Sequence, residues 1–319
     1  MNLPIKQLLG GLLSYTPFLD WKSRYQKHGT GGTESARYCY SVWLRHLVIL
    51  FENGMMKIPK TIAELGPGDS IGIGIAALLS GCDHYNAFDV IEYSSRDTNL
   101  QILNDLIDLF LKREDIPDDS EFPLVKPALK SYAFPSHILS NTLNDSLSTS
   151  RINAIKSAIL NYGKHGPISI AYCAPWFNVD NISEQSIDLI YSQAVLEHVD
   201  DLAATYQSMH SWLSPKGFMS HQIDFTCHTT ANYWNGHWTY NDMLWTLIRG
   251  RRPYLLNREP YSTHVDLQTR IGFKLLDSIK VYGDILKPGL QRTRLPKRFA
   301  GMSDEDFSTS SALIVSTKQ

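Results

Sequence analysis

The chain has 319 residues, 43% hydrophobic and 19% charged, which is apolar enough to bury a sizeable core and too sparsely charged for a disordered segment. A formal charge of −2 offers no basic footprint, so no nucleic-acid partner is expected. Four cysteines (Cys39, Cys82, Cys173, Cys227) form no Cys-x-x-Cys pair, which argues against a zinc knuckle or a disulfide framework and for a reducing, cytoplasmic setting.

Residues 1–57 read as a helical extension ahead of a main domain over 58–319. No apolar run reaches membrane-spanning length and no signal-peptide pattern is present. The apolar stretch Leu8-Leu-Gly-Gly-Leu-Leu with Tyr15, Phe18 and Trp21 is expected to pack within the chain or against a second subunit, with peripheral membrane contact as the other use. A homo-oligomer is therefore a candidate state. A glycine loop begins at Gly29, and Thr33 and Ser35 in it are helix caps or cofactor contacts. Apolar residues from Glu34 to Phe51 then recur at helical spacing.

Residues 61–90 read as strand, glycine turn, helix, strand and terminal acid. Ile62 and Ala63 lead into Glu64-Leu-Gly66-Pro67-Gly68, where the glycines permit a sharp turn and a close backbone approach to a ligand. Asp69 or Ser70 is the expected cap of a helix ending at Gly81. A second strand, Tyr85 to Phe88, ends in Asp89 and Val90, placing a carboxylate where it can accept hydrogen bonds from ribose hydroxyls. The third glycine of the dinucleotide fingerprint is absent, and a carboxylate at Glu64 would repel a pyrophosphate but attract an ammonium group.

A connection of more than seventy residues follows, an insertion over about 94–166 with helical runs Thr98–Lys112 and Arg151–Tyr162 around a proline-rich stretch. It is expected to lengthen a pocket wall or make a subunit contact. The third strand, from Ile168, runs into a loop with Ala174 and Trp176. Ile187 to Tyr191 is a continuous apolar run of the sort buried in a parallel sheet, and Ser192 and Gln193 fall at its ligand-facing end. Beyond it come Val-Leu-Glu-His198 and a Leu-Ser-Pro-Lys-Gly turn into a fifth strand.

A second insertion, about 226–260, follows the fifth strand and is rich in polar and aromatic groups. His221, Asp224, His228 and His237 lie in or near it with Trp234 and Trp238, whose faces would suit a sugar ring. Histidine is the natural base near neutral pH, so these three histidines and His198 compete for that role, with Asp224 expected to orient His221. As a ligand set, His221, Asp224 and His228 are too rich in nitrogen for magnesium, and no obligatory metal is expected. Asn257 and Arg258 precede another helix, as contacts to an anionic or sugar group. Phe273–Tyr282 and Ser311–Thr317 supply the last two strands.

Glu64-Leu-Gly-Pro-Gly, the strand-four segment and the Pro-x-Gly turn together resemble class I S-adenosylmethionine-dependent methyltransferases, and most of all those of bacterial surface polysaccharide biosynthesis. The resemblance implies a Rossmann-like α/β fold with a seven-stranded, mostly parallel sheet whose last strand is antiparallel. It implies S-adenosyl-L-methionine as cofactor, held by Glu64, Gly66, Pro67, Gly68, Asp89, Val90, Ala174, Trp176, Ser192 and Gln193, with the Gly29–Ser35 region folding over it. The activity implied is O-methylation of a sugar hydroxyl in a bacterial glycan or glycoconjugate. Methylation of a small aromatic or quinone-like metabolite, or a catalytically silent cofactor-binding or scaffold module, are the alternatives.

Overall fold

The computed structural model describes residues 4–15, 31–176, 182–252, 255–284, 286–292 and 295–319; Phe18, Trp21 and Gly29 lie outside these. The elements that position the site are, in chain order, α1 (Ile5–Leu13), α2 (Ala36–Glu52), β1 (Thr61–Leu65), α3 (Gly72–Ser80), β2 (His84–Phe88) and α4 (Arg96–Lys112). Two single-turn helices follow, α5 (Ser136–Leu139) and α6 (Leu143–Ser146), then α7 (Thr149–Leu160), β3 (Ser169–Cys173), β4 (Ile187–Gln193) and α8 (Leu202–Trp212). The chain continues through β5 (Leu213–Asp224), α9 (Asp242–Arg249), α10 (Tyr261–Ile271), β6 (Phe273–Tyr282), α11 (Asp304–Ser308) and β7 (Thr309–Lys318).

The seven strands form one sheet in the order β3-β2-β1-β4-β5-β7-β6. The first five strands pair in parallel, and β7 runs antiparallel between β5 and β6. This is the expected arrangement. Its central strands are apolar on both faces because both are covered. One buried cluster joins β1, β2 and β4 to α2, α3, α4 and α7. The other joins the opposite face to α8 and the β5–β7 side chains, with α10 packed against it.

α2 is the main packing partner of the first face. Ser35 caps it by accepting from the Tyr38 amide at 3.3 Å, the capping alternative for that residue. Trp43 Nε1 donates to Ser80 Oγ at 2.8 Å, and His46 Nδ1 meets Ser220 Oγ at 2.7 Å, so one helix is tied to both halves of the sheet layer. Arg45, 1% exposed, reaches instead into the first insertion. Its guanidinium donates to the carbonyls of Pro117, Val125 and Pro127 and to Asp119. The proline-rich stretch thus has no regular ladder but is held through its carbonyls by one buried cation. Arg45→Met should therefore cost about 3 kcal/mol in urea unfolding, the scale of a buried charge network losing one partner. A loss below about 1 kcal/mol would mean that the segment is held by something else.

The helix after the glycine turn departs from expectation at its start. Ile71, not Asp69 or Ser70, is the N-cap residue, and it has no side-chain cap. Ser70 Oγ nevertheless accepts from the Gly72 amide at 3.0 Å, and Asn99 Oδ1 accepts from the Ile71 amide at 3.1 Å, so α4 supplies part of the cap. Gly81 closes α3 in the left-handed region at φ 118°, as a helix-ending glycine should.

α1 packs on α9, where Gly11 lies against the Leu247 and Ile248 carbonyls with no room for a Cβ, and the Arg251 amide donates to Ser14 Oγ at 2.8 Å. Its opposite face leaves Ile5, Leu9, Leu12 and Leu13 exposed. No helix among the described residues is long and apolar enough to cross a membrane.

Candidate active site

The carboxyl ends of β1 to β5 lie along one edge of the sheet, and the connections reverse direction between β1 and β4. Ligands of open α/β sheets bind at that crevice. Gly66 and Gly68 cross it in the left-handed region, at φ 66° and 74°. A Cβ on Gly66 would stand 2.5 Å from Val195 Cγ2, so the turn is closed from above by the chain leaving β4. Gly66→Ala should lose about 1–2 kcal/mol in thermal or urea unfolding from strain and overpacking together. Val195→Ala in the same chain should restore the overpacking part; no restoration would put the whole cost on the backbone.

Asp89 sits beside this turn, 8% exposed. Oδ1 accepts from the Val90 amide at 2.7 Å and Oδ2 from the Gly68 amide at 3.4 Å. Burial pushes its carboxyl up to about 6 despite these donors. The loop after β3 is laced to the same residue: the Asp89 amide donates to the Cys173 carbonyl at 3.0 Å, and the Trp176 amide donates to the Asp89 carbonyl at 2.9 Å. Ala174 and half-buried Trp176 are thereby brought next to Asp89 and to exposed Val90. On the other flank the Ser70 amide donates to Thr33 Oγ1 at 3.2 Å and Ser70 Oγ to the Thr33 carbonyl, fastening the loop before α2 onto the glycine turn.

Glu64 is 1% exposed, on the α2 side of the sheet. Oε2 accepts from the Tyr191 hydroxyl at 3.0 Å and from Tyr85 Oη, and burial outweighs both donors to raise its carboxyl to about 7. Its side chain is thus sealed by two phenols beneath the turn, where an incoming ammonium cannot reach it directly. Ser192 is also fully buried, its Oγ 2.8 Å from His221 Nδ1, so only its backbone lies at the edge. Gln193 reaches His46.

The five candidate catalytic residues divide. His221 is fully buried in the opposite layer beside Tyr206, and desolvation lowers it to about 3. Asp224 does not orient it. Successive residues of a strand point to opposite faces, and Asp224 Oδ2 instead pairs with His228 Nε2 at 3.0 Å. His237 is buried on Trp238 with ring centroids 4.5 Å apart, and desolvation, aided by Arg258, lowers it to about 3. Trp234 and Trp238 are 3% and 0% exposed, so they fill the space under the second insertion and offer no face to a sugar. Arg258 is likewise inside, 2% exposed, donating to the Tyr240 carbonyl at 2.8 Å and to Asp242 at 2.9 Å.

What remains together at the ends of β4 and β5 is Asp224, His228, His198 and a residue that the sequence reading passed over, Glu197. The His198 and His228 rings lie 5.0 Å apart, and His198 Nε2 is 3.9 Å from Glu197 Oε1. Burial opposes charging of His228, but the Asp224 carboxylate beside it raises the ring above its usual value. Asn257 clamps the turn Leu196–His198 by donating to the Leu196 and Val199 carbonyls at 2.7 and 2.8 Å. Ala194, His228, Thr229 and Arg258 around this cluster all have positive φ, a concentration of strain of the sort that functional sites retain. An acid–histidine doublet just past the fourth strand was the signal that could have found Glu197.

A narrow recess lined by Glu197, Asp224, His237 and Asn257 adjoins an open cleft of about 800 Å³ lined by Asp200, Asp242, Trp245, Arg249 and Arg298, the two sharing Leu256, Asn257 and Glu259. A family model described as a methyltransferase domain matches residues 152–220, from α7 through most of β5. The chain has the class I methyltransferase fold. The cofactor of that fold is S-adenosylmethionine. Among solved structures, an S-adenosylmethionine-dependent methyltransferase from Mesorhizobium loti is 12% identical, with a TM-score of 0.42 over 87% of this chain and 98% of that one. Phosphoethanolamine N-methyltransferase 2 of Haemonchus contortus, in complex with S-adenosyl-L-methionine, is 11% identical, with a TM-score of 0.44 over 95% of this chain and 60% of that one. At these values the fold assignment rests on strand order and direction. No curated protein matches the chain.

Proposed function

We propose that the protein is a cytoplasmic O-methyltransferase that moves the methyl group of S-adenosylmethionine to a sugar hydroxyl of a bacterial glycan or glycoconjugate. The observation that carries this reading is the placement of the Glu197–Asp224–His228 cluster one strand beyond the glycine turn, with a polar cleft opening beside it. Glu64 supports the turn from below, Gly66, Pro67 and Gly68 pass beneath the adenosyl group, Asp89 takes the ribose hydroxyls, and Ala174 and Trp176 flank the adenine. The carboxylates, arginines and asparagine of the cleft can bond hydroxyls while Trp245 and Leu256 cover a ring face, as a sugar acceptor requires.

Transfer to oxygen is an in-line displacement that needs alignment and removal of a hydroxyl proton. The proton leaves through the cluster in which Asp224 holds the His228 ring. Incubation with methyl-labelled S-adenosylmethionine and a panel of nucleotide sugars and glycans tests the acceptor class. Label entering sugars in an ether linkage supports the proposal, and label entering only phenols or amines defeats it. With an acceptor in hand, Asp224→Asn should lower kcat about 10²-fold and leave the KM for S-adenosylmethionine unchanged.

A further inference from the structure

We propose that Glu197, His198 and His228 form a binding site for one divalent transition-metal ion at the carboxyl ends of β4 and β5. Each offers a ligand atom, and the three atoms lie within 4.8 Å of one another. Three donors around a zinc-sized ion stand about 3.4–3.6 Å apart in tetrahedral or trigonal geometry, so side-chain movements of up to about 1 Å close the site.

The independent observation is Glu197. It is 3% exposed, and neither carboxylate oxygen has a hydrogen-bond partner among the described residues. Burial, and then the Asp224 charge, push its carboxyl up to about 8 against His228 and the amides of Glu197 and Asp224, which do not reach bonding geometry. A buried carboxyl group without a hydrogen-bond partner is expensive whether charged or protonated, and a cation between it and two imidazoles supplies that partner. The surroundings are also built: Asp224 fixes the His228 ring, as carboxylates behind metal-bound histidines do, and Asn257 fixes the turn that carries Glu197 and His198.

Two imidazoles and one carboxylate suit zinc, manganese, iron(II) or cobalt(II) rather than magnesium. The expectation of no metal rests on His221, Asp224 and His228; in the fold His221 is buried in the opposite layer, and Glu197 and His198 stand beside His228 instead. Function at this site rests on the methyl-transfer reading: an ion there would polarise the acceptor hydroxyl and lower its pKa. The O–H bond breaks with its proton passing to water, the oxygen bonds to the methyl carbon as the carbon–sulfur bond breaks, and S-adenosylhomocysteine departs. With the ion bound, His228 serves as a ligand and the proton goes to water; in the metal-free chain it leaves through the His228 ring.

Binding itself is tested without turnover. The full chain, free of any histidine tag and stripped with chelator, is titrated calorimetrically with zinc chloride, and cobalt(II) substitution is followed by visible absorption. We expect one ion per chain, with affinity reduced at least tenfold in both Glu197→Gln and His228→Gln, and tenfold or more in Asp224→Asn. Retained S-adenosylmethionine affinity certifies that each variant is folded. No zinc uptake by the wild type, or uptake untouched by Glu197→Gln in a folded variant, overturns the site. Zinc uptake that follows this pattern in a protein that fails to bind S-adenosylmethionine upholds the site and removes the methyl-transfer reading alone.

Discussion

Asp89→Ala should weaken S-adenosylmethionine binding by about 1–3 kcal/mol, five-fold to more than a hundred-fold, because it strands the partners of a nearly buried carboxylate. The site around Asp89 makes the effect specific. Its carboxylate is aimed at the Gly68 amide and its backbone carries the Trp176 loop, so on the proposed reading the truncation removes the ribose contact while the Cys173 and Trp176 backbone bonds persist. Calorimetric titration of wild type and variant with S-adenosylmethionine and S-adenosylhomocysteine reads this directly. Because burial raises the carboxyl to about 6, wild-type affinity should also decline as pH falls through that value, and Asp89→Ala should lose that dependence. Equal affinity in the two proteins would remove Asp89 from the cofactor site.

The second large effect concerns Glu64 and stability. Its carboxyl titrates near 4.5 in the unfolded chain and is pushed up to about 7 in the folded one. Between those values the native protein holds a proton that the unfolded chain has released. The contribution is therefore fully present below about pH 4.5 and is lost as pH rises through 7. A shift of this size corresponds to roughly 3 kcal/mol. Urea unfolding at pH 5 and pH 8 should show wild type losing more stability than Glu64→Gln by about that amount. Tyr85→Phe and Tyr191→Phe should each deepen the loss at pH 8, since the ionised carboxylate would then lack a donor. Identical pH profiles in wild type and Glu64→Gln would show that the two phenols compensate its burial fully.

The fold was largely legible because its signals are local. The glycine turn and Asp89 are separated by a spacing that a strand, a helix and a second strand must fill, and the apolar run at Ile187–Tyr191 needs a sheet covered on both faces. The candidate site was legible only where it is made of such signals. Which histidine meets Asp224 depends on strand alternation and on a turn at His228 with positive φ, and a list of nearby residues contains neither. The tryptophans of the second insertion were misread for a related reason: composition cannot distinguish an aromatic face that greets a ligand from one that closes a core. Nothing in the sequence around Glu197 shows that it is buried. Arg45 and the insertion it holds are joined across about 80 residues of sequence, a distance over which no periodicity speaks.

The placement of β7 also fixes an order of events. Among the described residues β6 is attached to the sheet only through β7, which follows it in sequence, and β5 meets β6 only across it. During synthesis β6 therefore emerges with no edge to join until β7 arrives to dock both neighbours. Until β7 is made, the nascent chain carries an open edge on β5.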